Sequence, residues 1–162
     1  MNKKITSVTD LDVYQMAEKL SDRVWNLVLQ FSTFEKDTLG KNLVRAVDSI
    51  SLNIAEGFGR YSYRDSLRFS IIARGSFEET KAALRKCFRR GLISGDELKL
   101  FAKEIDDLGP KLNAFIGKQR QFVESDNNVR ESEAPDYTTV VEFGFSESFE
   151  TTVETKMNEA NV

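Results

Sequence analysis

Apolar residues recur at helical spacing in four consecutive stretches of this chain, and only a few residues separate one stretch from the next. The first stretch carries Val13, Ala17, Leu20, Val24, Leu27, Val28 and Phe31 on one face. The second carries Leu39, Leu43, Ala46, Val47, Ile50 and Ile54. The third runs through Phe69, Ala73, Phe77, Leu84, Cys87 and Phe88, and the fourth through Leu98, Phe101, Ile105, Leu108, Leu112, Phe115 and Ile116. Each pattern predicts an amphipathic helix. Connections this short oblige successive helices to lie as antiparallel neighbours, so the expected architecture is all-α: an antiparallel up-down-up-down four-helix bundle. No strand pattern precedes residue 138, and no internal repeat is visible.

Local signals set the expected ends. Thr9, with Asp12 three residues on, reads as the N-cap of the first helix. The second spans about Asp37 to Glu56, with Gly57 placed to be its left-handed C′ residue. Ser62 and Asp65 open the third helix, which stops at Gly91, and Ser94-Gly95-Asp96-Glu97 opens the fourth. Pro110 falls inside the fourth stretch, where it lacks a donor and crowds the carbonyl four residues back. It reads as a tolerated kink on the side away from Phe101, Leu108 and Leu112; the alternative is two separate short helices.

The chain has 162 residues and no histidine. A Ser-His-Asp triad, a Cys-His pair and a His-ligated metal centre are therefore out of reach within one chain. No catalytic residue, cofactor or metal site is expected. One cysteine rules out an internal disulfide. No segment reaches the roughly 20 apolar residues of a membrane span, and the basic start Met1–Thr6 has no apolar stretch behind it. A cytoplasmic protein without membrane attachment is the expectation.

Charge is unevenly spread. Ten of the 26 acidic and two of the 23 basic residues lie in 122–162, so that stretch carries −8 and residues 1–121 carry +5. The expected organisation is a bundle over 1–121 and a disordered acidic tail over 122–162. Within the tail, Val141, Phe143 and Phe145 alternate with Glu142, Gly144 and Ser146, a pattern that suits a short binding motif or a solvated tail with scattered aromatics.

The first helix holds more apolar surface than one core needs. Leu11, Tyr14, Trp25 and Leu29 lie off its Val24 face and suggest an oligomer interface; a wide core face with amphipathic Tyr and Trp is the competing explanation. Leu67, Ile71, Gly75 and Ala82 repeat the feature on the third helix. Basic residues mark another face. Arg60, Arg64 and Arg68 step by four, and Arg74, Lys81, Arg85 and Arg89 continue on nearby wheel positions, interrupted by Glu78. Arginine suits phosphate because its planar fork makes two hydrogen bonds. Nothing in the sequence specifies base readout, so the expected contact is with the nucleic-acid backbone and salt-sensitive. Plain solvated surface is the competing reading.

Asn53 and Glu56, one turn apart, read as structural: Asn53 for carbonyls at the helix end, Glu56 for the opening of the third helix or for Arg60. Cys87 shares the wheel position of Phe69 and reads as a buried small hydrophobe. The run Ser49-Ile50-x-x-Asn53-Ile54-Ala55-Glu56-Gly57-x-Gly59-Arg60, followed by Phe69-x-x-x-Ala73-x-Gly75-Ser76-x-x-Glu79, resembles the four-helix-bundle proteins encoded in intervening sequences of bacterial 23S rRNA genes. It is similar as well to the accessory protein of diversity-generating retroelements, a partner of a reverse transcriptase. The resemblance covers roughly residues 8–121. It implies a homo-oligomer, a pentamer in relatives with this motif. The expectation is a non-enzymatic assembly that binds RNA or DNA through its basic face. The alternative is a protein-binding scaffold or accessory subunit, for example of a reverse transcriptase, with no nucleic-acid contact of its own.

Overall fold

A computed structural model describes residues 5–125, and every element in it is helical. The acidic linker and the Val141–Phe145 alternation lie outside the described residues. Four long helices are present: α1 (Asp12–Val28), α2 (Lys41–Phe58), α3 (Tyr63–Arg89) and α4 (Gly95–Ser125). Among the described residues no helix is long and apolar enough to cross a membrane.

The entry to α1 differs from expectation. Ser7, not Thr9, is the capping residue: its hydroxyl accepts from the Thr9 N–H at 3.3 Å, while Asp10 accepts from the Ser7 N–H at 3.0 Å. This box caps a 3-10 turn, Val8–Asp10, and α1 then starts after an extended Leu11 with no side-chain cap of its own. The extra turn swings Leu11 into the core. A second box, Ser32 with Glu35, starts a helical turn at Thr33–Glu35 that runs through π-helical Lys36–Gly40 into α2. The helical path thus begins ahead of the expected Asp37. The π turn buries both Leu39 and Gly40. A Cβ on Gly40 would come within 2.8 Å of Val28 Cγ1, so the end of α1 needs a glycine here.

Gly57 does not end α2. The helix continues to Phe58, Gly59 is its cap, and neither glycine has a positive φ. Gly57 is buried, and a Cβ on it would lie 3.0 Å from the Ser66 carbonyl oxygen and 3.2 Å from Phe69 Cβ. Its role is close approach of α2 to α3. The left-handed residue is Gly91, with φ 74°. There the Gly91 N–H bonds Phe88 O and the Leu92 N–H bonds Cys87 O, each at 2.9 Å, the Schellman closure of α3.

Ser62 and Ser94 open α3 and α4 as the sequence suggests. Pro110 is an exposed residue within a single α4. Beside it, buried Gly109 faces Phe77, whose ring would lie 3.3 Å from a Cβ there. α4 extends through Phe122 and Val123, past the expected boundary at 121; Val123 is buried and Phe122 stacks on Tyr63 with centroids 5.2 Å apart.

The expected stripes of α1 and α2 are buried throughout, and so are those of α3 and α4 except the half-buried Phe69 and Phe115. Polar links stitch the pairs. Ser21 bonds Asp48 between α1 and α2. Ser49 and Ser76 meet at 2.9 Å between α2 and α3. Ser66 bonds Gln119 at 3.1 Å between α3 and α4, and Arg23 bonds Glu104 at 2.7 Å between α1 and α4.

Two glycines on these helices should respond in opposite ways to alanine. Gly57→Ala forces a Cβ against backbone and should destabilise by about 1–3 kcal/mol despite its helical preference. Gly75 has open space around it, so Gly75→Ala should stabilise by up to about 1 kcal/mol. Thermal denaturation of both variants beside the wild type decides it; a Gly57→Ala protein as stable as wild type would show that the close approach is not needed.

Candidate functional site

The corner between α2 and α3 gathers most of the patterned residues. On α2, the Asn53 side-chain amide donates to the Ser49 carbonyl at 2.6 Å and reaches Ser49 Oγ at 2.8 Å. Asn53 thus reaches back one turn rather than serving the helix end. Ser49 Oγ in turn meets Ser76 of α3. Below them Gly57 rests on Ser66 and Phe69. Glu56 pairs with Arg60, and the Arg60 guanidinium lies 4.8 Å over the Phe69 ring. The Ser-Asn-Gly-Arg spacing on one side and Phe-Ser on the other is therefore a lock between two helices. An open groove of about 390 Å³ runs beside it, lined by Leu52, Ala55, Glu56, Gly59 and Arg60. Gly75 and Glu79, which belong to the same pattern, are exposed.

A family model of the 23S rRNA-intervening sequence protein matches residues 9–114. The chain belongs to that family. No curated protein matches the chain. The match takes in α1, α2, α3 and the first two thirds of α4.

The seven basic residues singled out in the sequence do not form one continuous face. Arg60 is exposed in the connection before α3, Arg64 and Arg68 are exposed near its start, and Arg89 is exposed at its end. Between them the helix turns two cations inward. Arg74 bonds Glu78 at 3.1 Å and lies 5.6 Å over the Phe77 ring. Lys81 is buried, bonds the same Glu78 at 3.0 Å and lies 5.4 Å over the same ring. Arg74 and Lys81 therefore do not lie on the expected outer face, because their side chains fold along the apolar Phe77 ring. Arg85 is half-buried, with its Nε out of contact with solvent. The outward charge is thereby split. Arg64 and Arg89 are 25 positions apart, about 37 Å along the helix axis.

The apolar candidates also divide. Leu11 belongs to the core and cannot serve an outer interface in this fold. Tyr14 is half-buried against that core, and burial, with the Glu18 carboxylate nearby, pushes its hydroxyl above the ordinary tyrosine value. Trp25 and Leu29, one turn apart on α1, are each 54% exposed. On α3, Leu67 and Ile71 are half-buried, while Gly75 and Ala82 are exposed. Cys87 is fully buried, and burial pushes its thiol up to about 11. That thiol stays protonated and unreactive at neutral pH.

Two features escaped the sequence reading. Arg23 lies 4.9 Å over Phe101 while bonding Glu104, a contact between residues 81 positions apart that no local pattern announces. The other is an aromatic cluster at the corner itself: Phe58 is 40% exposed, Tyr63 is 49% exposed and Tyr61 is fully exposed. Its signal was available in the alternation of rings with arginines from Phe58 to Arg64.

Glu78 serves as counter-charge to two cations that are largely out of water. Removing it with Glu78→Gln should cost about 1–2 kcal/mol, less than a fully buried pair because Glu78 is itself partly exposed. Glu79→Gln, next to it and exposed, should stay within about 0.5 kcal/mol of wild type. Chemical denaturation of the two variants separates these outcomes, and equal stabilities would refute a structural role for the Glu78 bridge.

Proposed function

We propose that the protein is a non-enzymatic homo-oligomeric helical bundle that holds RNA or DNA on cationic surface supplied by α3. The observation that carries the reading is the exposure of Arg64 and Arg68 at one end of α3 and of Arg89 at the other, on a chain whose residues 1–121 carry +5. Charge of this kind attracts phosphate without reading sequence, through counterion release. Arginine adds two-pronged hydrogen bonding to that attraction.

The arrangement that supports it is an antiparallel up-down-up-down bundle. Partner numbers fall as residue numbers rise along α3: Tyr63 meets Phe122, Ser66 meets Gln119, and Phe77 meets Gly109. Gly57 with Ser66 and Ser49 with Ser76 do the same for α2 and α3. Assembly of several copies, five in relatives of similar motif, would repeat both basic ends around a ring and strengthen the field felt by a polyanion.

Exposed Trp25 and Leu29 favour that assembly, and they also favour the second reading, a scaffold that docks a protein such as a reverse transcriptase without touching nucleic acid. Two experiments discriminate. Light scattering on the full chain should give a mass several times 18.4 kDa, and Trp25→Glu should reduce it to the monomer with helicity intact; a wild-type monomer at micromolar concentration ends the oligomer proposal. Gel-shift titration against mixed RNA and DNA should show binding that weakens steeply with salt. The double variant Arg64→Glu, Arg68→Glu should lower affinity for every sequence alike, with stability changed by less than about 1 kcal/mol. No wild-type binding at low salt would leave the scaffold reading in its place.

A further inference from the structure

The exposure of Tyr61 at the α2–α3 corner is not explained by packing. Tyr61 sits in the short connection between α2 and α3, with its side chain wholly in solvent. Phe58, the last residue of α2, is 40% exposed just before it. Tyr63 is held in place by stacking on Phe122, and Arg60 is held by Glu56 and Phe69. The turn is thus braced on both sides while Tyr61 projects from it. Arg64 and Arg68 follow on α3, exposed and about 6 Å apart along the axis, one turn of the same helix.

We propose that this corner binds single-stranded nucleic acid, with Tyr61 stacking on an unpaired base and Arg64 and Arg68 holding the flanking phosphates. The inference rests on the nucleic-acid reading above and narrows it to a strand type and a place. Bases inside a duplex are already stacked on both faces, so a projecting ring finds a partner only where bases are unstacked. Rings interleaved with guanidinium groups suit a polymer that alternates aromatic faces and negative charge. They do not suit an apolar protein face, where each buried arginine would need a counter-charge. Stacking is tolerant of base identity, in keeping with a sequence that carries no base-reading motif.

The test uses the full chain at low salt and four labelled probes of equal length: single-stranded RNA, single-stranded DNA, a DNA duplex, and an abasic strand with the same phosphate charge. The base-bearing single strands should bind roughly tenfold more tightly than the abasic strand, the scale of one stacked base, and more tightly than the duplex. Tyr61→Ala should abolish that advantage and leave abasic affinity unchanged, while Tyr61→Phe retains it. Because the side chain touches no core, circular dichroism should show the same melting curve for all three proteins. Equal binding of base-bearing and abasic strands, or a Tyr61→Ala protein that still discriminates, overturns the corner site while charge-driven binding stands. Failure of every probe to bind overturns both.

Discussion

The close approach of α2 to α3 governs the rest of the molecule. At Gly57 the two backbones come so near that a single methyl group would meet the Ser66 carbonyl. Helices this close need small residues where they meet, and α3 brings Ser66 to Gly57 and Ser76 to Ser49, with Ser70, Ala73 and Thr80 also buried along it. Small polar side chains bring a cost, since each hydroxyl must be satisfied out of water. The chain meets it locally: Ser70 donates to Ser66 O at 3.0 Å, Thr80 to Ser76 O at 2.9 Å, and Ser76 meets Ser49. The first two bonds lie within α3 and only satisfy their own hydroxyls, so the Ser49–Ser76 bond and backbone proximity at Gly57 are what join α2 to α3 here, whereas bulky side chains such as Phe77, Phe101 and Leu112 fill the core.

That division accounts for where the charged residues go. The edge of the Phe77 ring needs the notch at Gly109 on α4, and the ring itself is then covered by the charged groups of Arg74 and Lys81. Covering a ring with a cation takes both the stem and most of the head out of water, so the head needs a counter-charge. One carboxylate, Glu78, answers two heads. The same device recurs across α1 and α4, where Arg23 lies over Phe101 and bonds Glu104. Cations that look available on a helical wheel are thus consumed in packing, and the outward charge of α3 is concentrated at its two ends.

Much of the fold was legible because it depends on period and punctuation. Four apolar stripes, Ser62, Ser94 and Gly91 each carry a local signal whose meaning does not depend on what packs against it. Gly57 illustrates the limit. A glycine after an apolar run serves equally as a left-handed stop or as a place for another backbone to approach, and only the partner, Ser66 on the next helix, decides between them. Thr9 lost to Ser7 for a similar reason: two overlapping capping boxes competed, and the one that delivers Leu11 to the core won. Leu11 itself was misassigned because a helical wheel assumes it is on the helix, whereas it precedes α1 in extended conformation. Wheel position also misleads at Arg74 and Lys81, since it locates a Cα and says little about a charge at the far end of a long side chain.

What the corner positions is set by the same lock. Gly57 brings α3 against α2, Arg60 is pinned between Glu56 and Phe69, and Tyr63 is pinned by Phe122 of α4. A turn fixed at both ends presents Tyr61 at low conformational cost, because the backbone that carries it is ordered before any ligand arrives. The stacking also ties the corner to the last turn of α4, after which the chain adds nine acidic and two basic residues over 126–162. The turn of α3 that carries exposed Arg64 and Arg68 therefore begins beside Phe122, three residues before Ser125, and the acidic stretch of sequence follows from there. The field of exposed charges such as Arg64 and Arg68 is screened beyond roughly 8–10 Å, so its reach shrinks as ionic strength rises.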